Sequence, residues 1–296
     1  MSDANSTVGT LACLSSLALI RVTGADRFTF LQGQLTNDVH KLGDGLMTAG
    51  YCSPKGRLLA SPRLFKDDEA VYMIVAASNA QALVRRLKMY VLRSKVCIEL
   101  DNEHIVAGCV GAAPASLPDD ARFFALRSGC PQARIAAALP DGLGLVVADK
   151  AGLTCDGSEA LWWAACAAAG EAWIFAETAE RFTPQAVNLE LVGGVSFSKG
   201  CYTGQEVVSR IEHIGRTARR TVLFAAGKAL ELAPASDLVS ADGRPAATVV
   251  FAAPLADRTL VLAEVSSDFA LADDDLETTL GTLHRLPLPY GWSRNA

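Results

Sequence analysis

Apolar positions run almost unbroken from Leu17 to Val22. After Thr23-Gly24-Ala25-Asp26 the next ones, Phe28, Leu31 and Leu35, fall three and four residues apart. A short apolar run reads as a buried strand, and an i, i+3, i+7 series as an amphipathic helix. Strands are expected over 46–52 and 57–65. Ser53-Pro54-Lys55-Gly56 joins them, with Pro second and Gly fourth as a type I turn prefers. Lys66-Asp67-Asp68-Glu69 is the next turn and 70–77 the next strand. Ser78 is then placed to cap a helix reaching Arg93, with Leu83, Leu87, Tyr90 and Val91 on one face. Strands near 96–100 and 104–110 complete an α+β unit over 53–123.

The pattern changes twice more. Residues 112–120, rich in Pro, Ala and Asp, read as a linker. A helix over 130–139 and a strand over 143–148 follow. Ser158 then caps an Ala/Trp-rich helix that runs to Ala169 and closes at Gly170. From Thr221 onward, short β-rich runs at 221–226, 246–252 and 259–265 alternate with turn signals such as Ala241-Asp242-Gly243-Arg244. That spacing marks a small all-β sandwich or barrel.

Half of the 296 residues are hydrophobic and one fifth charged, so the chain is a folded globular protein of about two domains by length alone. The apolar run at 11–20 is too short for a membrane helix. Asp3 precedes it and no basic residue does, so it is not a signal peptide and a cytoplasmic location is expected. The formal net charge is -5. Residues 55–95 nevertheless carry nine Lys/Arg against three Asp/Glu, and 199–220 carry five against two. Residues 231–277 carry two against ten. A basic surface of this kind suits an anion such as a polyglutamate tail, a phosphate or RNA. Aromatic residues are sparse there, which disfavours stacking on single-stranded bases.

Eight cysteines form no C-x-x-C pair and match no zinc spacing, so no metal site is expected. Seven read as reduced structural residues, Cys97 and Cys166 among them because of their apolar neighbours. The eighth is Cys201, in Lys199-Gly200-Cys201-Tyr202-Thr203-Gly204-Gln205-Glu206. Glycines at 193, 194, 200 and 204 allow positive φ and close backbone approach, so this thiol belongs on a tight, exposed connection. Lys199 and Arg210 are candidates to lower its pKa, and Glu206 to oppose them. His213 is the nearest histidine in sequence. As the partner of a Cys–His nucleophile pair it is less expected than as a plain surface residue.

Four segments together resemble one known family. They are Phe30–Val39 (FLQGQLTNDV), Ser53–Arg57 (SPKGR), Arg181–Leu189 (RFTPQAVNL) and Gly193–Arg210 (GGVSFSKGCYTGQEVVSR), matching in order from about residue 14 to 290. They are similar to the YgfZ family of folate-binding, aminomethyltransferase-like proteins linked to iron–sulfur clusters and tRNA modification. The resemblance implies an α+β protein of three domains around a central channel. Its folate-binding domain would comprise 1–52 and 124–198, an inserted ferredoxin-like α+β domain 53–123, and the cysteine loop with a C-terminal β-barrel 199–296. It implies tetrahydrofolate, or a one-carbon-substituted folate, as cofactor. Trp162, Leu17, Asn37, Gln185 and Asn188 would be binding residues, Leu17 standing where the family has a tryptophan. Cys201 would be the functional thiol. Lys199 and Arg210 would tune it, Gly200 and Gly204 would shape the loop, and Tyr202, Gln205 and Glu206 would hold it. Trp163, about 100° round the helix from Trp162, would be the core residue of the pair.

Two departures matter. The related glycine-cleavage T-protein has an aspartate near the strand at Leu59-Ala60-Ser61-Pro62, and a glutamate where this chain has Ala168. Without these carboxylates, aminomethyl transfer is not expected and no group is evident to position a folate amine. The leading reading is a monomeric, folate-binding accessory protein. It would assist assembly or repair of iron–sulfur clusters in clients such as tRNA-thiolating enzymes. One cysteine cannot supply the four ligands of a cluster, so storage within a monomer is disfavoured. The alternatives are a one-carbon transferase using Cys201, and a module that contacts tRNA directly.

Overall fold

The computed structural model describes residues 10–111, 117, 121–127, 142–150, 153–214 and 217–292. The helix expected over 130–139, and nearly all of the linker expected at 112–120, lie outside them. The chain opens with strands β1 (Thr10–Cys13) and β2 (Leu17–Thr23), helix α1 (Arg27–Gln32), and short strands β3 (Met47–Thr48), β4 (Tyr51–Cys52), β5 (Leu58–Ala60) and β6 (Arg63–Lys66). There follow β7 (Ala70–Ala76), α2 (Ala77–Met89), β8 (Cys97–Asp101), β9 (His104–Val110), β10 (Arg122–Arg127), β11 (Leu143–Asp149) and α3 (Glu159–Ala168). The last third holds α4 (Gln205–Ile214), β12 (Arg219–Ala226), β13 (Asp237–Val239), β14 (Pro245–Pro254), β15 (Thr259–Ser266), α5 (Ser267–Ala272), β16 (Leu276–Thr278) and β17 (Gly281–Leu286).

The strands form three sheets and a small hairpin. A five-stranded sheet has the order β3-β6-β7-β2-β8 and a four-stranded one β1-β9-β11-β10. A six-stranded sheet, β13-β14-β15-β12-β17-β16, curls into a half-barrel in the C-terminal region. Leu17–Val22 is a buried strand as expected. It lies between β7 and β8, with Ile20 opposite Met73 on one side and Leu100 on the other. Residues 17–22 therefore share a sheet with 70–76 and 97–101.

Three local differences have clear causes. The two long strands expected over 46–52 and 57–65 are each broken, at Gly50 and at Ser61-Pro62. Pro62 has no N–H to continue a ladder, and its carbonyl instead accepts from Ala49. Helix α1 stops at Gln32, and Leu35 forms a bridge to Tyr51. Helix α2 begins at Ala77, so Ser78 is inside its first turn, and its hydroxyl accepts from the Ala176 amide. Strands β1 and β10 were not anticipated.

Helix α3 positions much of the molecule. It packs against β9 on one side and β14 and β15 on the other. Trp162 is fully buried on its inner face, and the indole N–H donates to the Gly144 carbonyl at 3.0 Å. The ring occupies the space where a Cβ of Gly108 would be, so the glycine on β9 is what admits it. Gly170 (φ +67°) ends the helix against Tyr290, whose hydroxyl donates to the Gly170 carbonyl at 2.9 Å.

The expectation of seven reduced structural cysteines is corrected. Leu11 accepts from the amides of Asp156 and Gly157, which lays β1 beside the stretch before α3. Cys13 and Cys155 then stand with Cα atoms 5.5 Å apart and form a disulfide. Cys97 is exposed, because it faces outward at the start of edge strand β8. Among the described residues no helix is long and apolar enough to cross a membrane.

Candidate functional site

Two of the sequence motifs meet. The Ser53–Gly56 turn closes as expected, with the Gly56 amide donating to Ser53 and the Ser53 amide to Arg57. The cysteine loop packs directly on it. Gly204 has φ +84°, and a Cβ there would stand 2.5 Å from the Ser53 carbonyl oxygen and 3.0 Å from Cys52 Cβ. Gly56 (φ +67°) is equally close to Val207, in the first turn of α4. At Gly204 backbone thus touches backbone, and at Gly56 backbone touches the Val207 side chain, approaches that favour glycine at both positions. Gly200 is different. A Cβ there would meet nothing within 4 Å, and its φ is not positive, so the shaping role expected for it falls to Gly204.

Lys199 and Tyr202 anchor the loop on either side of the thiol. The Lys199 ammonium donates to the carbonyls of Gln32 and Leu35, each at 2.6 Å, and lies 5.1 Å from the Tyr202 ring centroid. These carbonyls belong to the end of α1 and the residues after it, where a cation is favoured. Burial pulls the Lys199 pKa down to about 8, against a smaller upward effect of Asp38. The Lys199 ammonium thus fixes the loop to the end of α1. Tyr202 is buried, and burial raises its phenol pKa; its hydroxyl has no hydrogen-bond partner among the described residues. Beneath it Cys52 is buried, and its thiol is pushed up to about 12 by desolvation. Gln205, the first residue of α4, accepts from the Tyr202 amide through its side-chain oxygen. Between these anchors Cys201 is exposed. Glu206, Arg210 and His213 are exposed on α4, and the structure gives none of them a contact with the thiol.

A cavity of about 410 Å³ lies beside Asn37, two residues past Leu35, whose carbonyl holds Lys199. Asn37, Met47, Leu126, Glu171, Val192 and Gly193 line it. Asn37 Nδ2 donates to the carbonyls of Thr48 and Gly193, both at 2.8 Å, and so ties two walls together. Behind it Thr36 donates to the Gly194 carbonyl and accepts from the Gly50 amide. Glu171 reaches the cavity from just past α3. Its carboxylate receives Arg63 Nη2 at 2.9 Å, and the Arg63 guanidinium stacks on Trp173 at 3.9 Å. Sequence reasoning missed Glu171. It lies three positions beyond Ala168, and nothing in the local pattern says that the chain turns it inward after Gly170.

Of the five expected folate-binding residues, Asn37 alone lines this cavity. Trp162, Gln185 and Asn188 are fully buried and Leu17 is core. Gln185 Nε2 donates to Val208 and Asn188 Nδ2 to Thr221, while Asn188 Oδ1 accepts from Arg220. These side chains clamp the stretch before the cysteine loop to α4 and β12, and offer no surface to a ligand. The indole pair is also reversed from expectation. Trp162 is interior, and Trp163 is the partly exposed one, packed edge-on to Trp162, Trp173 and Phe251. Among the described residues no group of three or more His, Cys, Asp or Glu could hold a metal.

Layered antiparallel sheets with a curled C-terminal sheet place the chain in a known structural class. It superimposes with a TM-score of 0.68 on aminomethyltransferase T of the glycine cleavage system from Bartonella henselae, at 14% identity. The match covers 96% of this chain and 86% of that one, and it shows a shared fold. No family profile matches the chain. Curated relatives do. The tRNA-modifying protein YgfZ of Shigella sonnei is 32% identical over 309 residues, covering 95% of this chain and 93% of the relative. Those of Escherichia fergusonii and Serratia proteamaculans are also 32% identical, over 310 and 305 residues. At this identity and coverage, the chain belongs to the YgfZ family.

Proposed function

We propose that the protein is a tetrahydrofolate-binding accessory factor that supports tRNA modification by helping to assemble or repair iron–sulfur clusters in client enzymes. The observation that carries the folate part is Glu171 in the wall of the 410 Å³ cavity. Folate presents a flat pterin whose amino–imino edge donates two parallel hydrogen bonds, and a carboxylate is the matching acceptor. The volume falls within the range of small-ligand sites, and Met47, Leu126 and Val192 supply apolar walls. Asn37 would hold the two sides of the site in register. A bound tetrahydrofolate would supply one-carbon or redox chemistry there. The chain's own part is to orient it, to exclude water, and to keep Cys201 exposed on a rigid loop for a partner's thiols or metal. The tRNA part draws on the relatives, which are named for tRNA modification.

The test is a titration with tetrahydrofolate, followed by tryptophan fluorescence. Trp173 is the reporter, because Arg63 connects it to Glu171. A saturable change in wild type, weakened at least tenfold in Glu171→Gln, is expected for loss of a charge-assisted bond. No change in wild type would overturn the folate reading. The one-carbon transferase reading gains the carboxylate that Ala168 lacks. Cys201 does not line the cavity, however, and turnover of an aminomethyl or methyl donor would be needed to establish it.

A further inference from the structure

A second cavity, of about 390 Å³, lies at the Ser53–Arg57 turn. Lys55, Arg57, Arg181, Phe182, Thr248 and Glu264 line it, with Glu180 exposed at its edge. Its shape is set by backbone pairing. Leu58 donates to the Phe182 carbonyl at 2.8 Å, and Glu180 to the Leu58 carbonyl at 2.7 Å, so the 180–182 stretch runs beside β5. Arg57 Nη1 also donates to the Arg181 carbonyl. This brings two arginines and Lys55 to one opening, while β14 and β15 of the C-terminal sheet form the far wall through Thr248 and Glu264.

The charge balance of the opening is positive. Glu264 is already paired, its Oε2 2.5 Å from Arg219 Nε. Burial raises the Glu264 pKa, and Arg219, Arg57 and Arg181 all pull it back down, so three guanidiniums act on this one carboxylate. Among the lining residues three cations, Lys55, Arg57 and Arg181, face two carboxylates, Glu264 and Glu180; Arg219 and Asp237 stand just outside and offset each other. Lys55 and Arg57 have no carboxylate within 4.0 Å among the described residues, and Arg181 has only an exposed contact to Asp237 at 3.8 Å. Exposed cations normally spread apart. Holding three at one concave opening raises local anion concentration, even though the whole chain carries a net charge of -5. Arginine forks suit tetrahedral oxyanions in particular.

We propose that this cavity is a phosphate-binding site. It takes a phosphodiester of an RNA backbone or the phosphate of a smaller phosphoester, held by Lys55, Arg57 and Arg181. The absence of aromatic faces beyond Phe182 fits contact with backbone and not with bases. The site shares the Ser53–Arg57 turn with the loop that presents Cys201.

The test compares wild type, the triple variant Lys55→Gln/Arg57→Gln/Arg181→Gln, and Arg93→Gln as an exposed-cation control on the loop after α2. Each is titrated into a fluorescein-labelled stem–loop oligoribonucleotide by anisotropy, from roughly 50 to 200 mM salt, and separately with pyrophosphate by calorimetry. The three substitutions are on exposed side chains, and thermal melts check that folding is retained. Binding of the RNA that falls at least tenfold in the triple variant and not in Arg93→Gln, with a shallower salt slope, assigns the site to RNA backbone. Loss in the pyrophosphate arm alone assigns it to a small phosphoester. Equal binding by wild type and triple variant in both arms, or no binding by wild type in either, overturns the proposal. Tetrahydrofolate titration of the same proteins reads the folate cavity separately, because none of the three residues lines it.

Discussion

Arg63 on β6 and Glu171 beyond α3 are 108 residues apart in sequence and joined by a 2.9 Å bond; the arginine is fully buried and the glutamate nearly so, its remaining exposure facing the cavity. Arg63 also donates to the Ala172 carbonyl and to Ser61, so the guanidinium ties the five-stranded sheet to the chain leaving α3. Breaking a buried pair by removing one partner leaves the other charge uncompensated. Glu171→Ala should therefore lower stability by about 3–5 kcal/mol. Glu171→Gln, which keeps an acceptor for Arg63, should cost clearly less. Urea denaturation of both variants checks this; equal losses would show that the carboxylate charge adds nothing to the fold.

Lys199 gives the protein a pH signature. Its folded pKa of about 8 lies below the ordinary lysine value because the ammonium is buried. Between about pH 8 and 10.4 the unfolded chain therefore binds more protons than the folded one, and stability rises with pH through that window. The gain is absent below pH 8 and complete above the unfolded value. Lys199→Met should remove this rise. Denaturation midpoints of both proteins at pH 7.5 and 10 would test it, and a variant keeping the full wild-type rise would assign the pH dependence to other groups.

The two glycines of the cysteine loop should behave differently. Gly204→Ala puts a methyl 2.5 Å from the Ser53 carbonyl at φ +84°, and should destabilise by about 1–3 kcal/mol. Gly200→Ala meets open space at an ordinary φ, and should be neutral or stabilise by a few tenths of a kcal/mol. Comparable thermal-melt shifts for both would mean that contact with the Ser53 turn does not hold the loop.

Cys201→Ala should leave stability within about 0.5 kcal/mol of wild type, since the exposed thiol contributes little burial. It should nevertheless abolish complementation of a strain lacking the family protein, measured by activity of an iron–sulfur enzyme. Full complementation would remove Cys201 from the mechanism. Cys52→Ala, by contrast, truncates a fully buried side chain and should lower stability without a specific functional defect.

Local chemistry was legible before any coordinates. Apolar runs announced β2, β7 and the strands of the C-terminal sheet, and the Pro–Gly spacing announced the turn at Ser53. Glycine density around Cys201 announced an exposed thiol. Each of these depends on a few neighbouring residues, and a one-dimensional pattern carries that information. Tertiary packing decided which indole of the Trp162–Trp163 pair is interior, because that depends on Gly108 of β9 leaving room for the ring and on the Gly144 carbonyl of β11 accepting its N–H. It decided that Lys199 reaches the carbonyls at the end of α1. It brought Cys13 to Cys155, turned Glu171 into a cavity, and gathered Lys55, Arg57 and Arg181 at one opening. All of these are contacts between residues far apart in sequence, fixed by where whole sheets pack, and no local spacing encodes that.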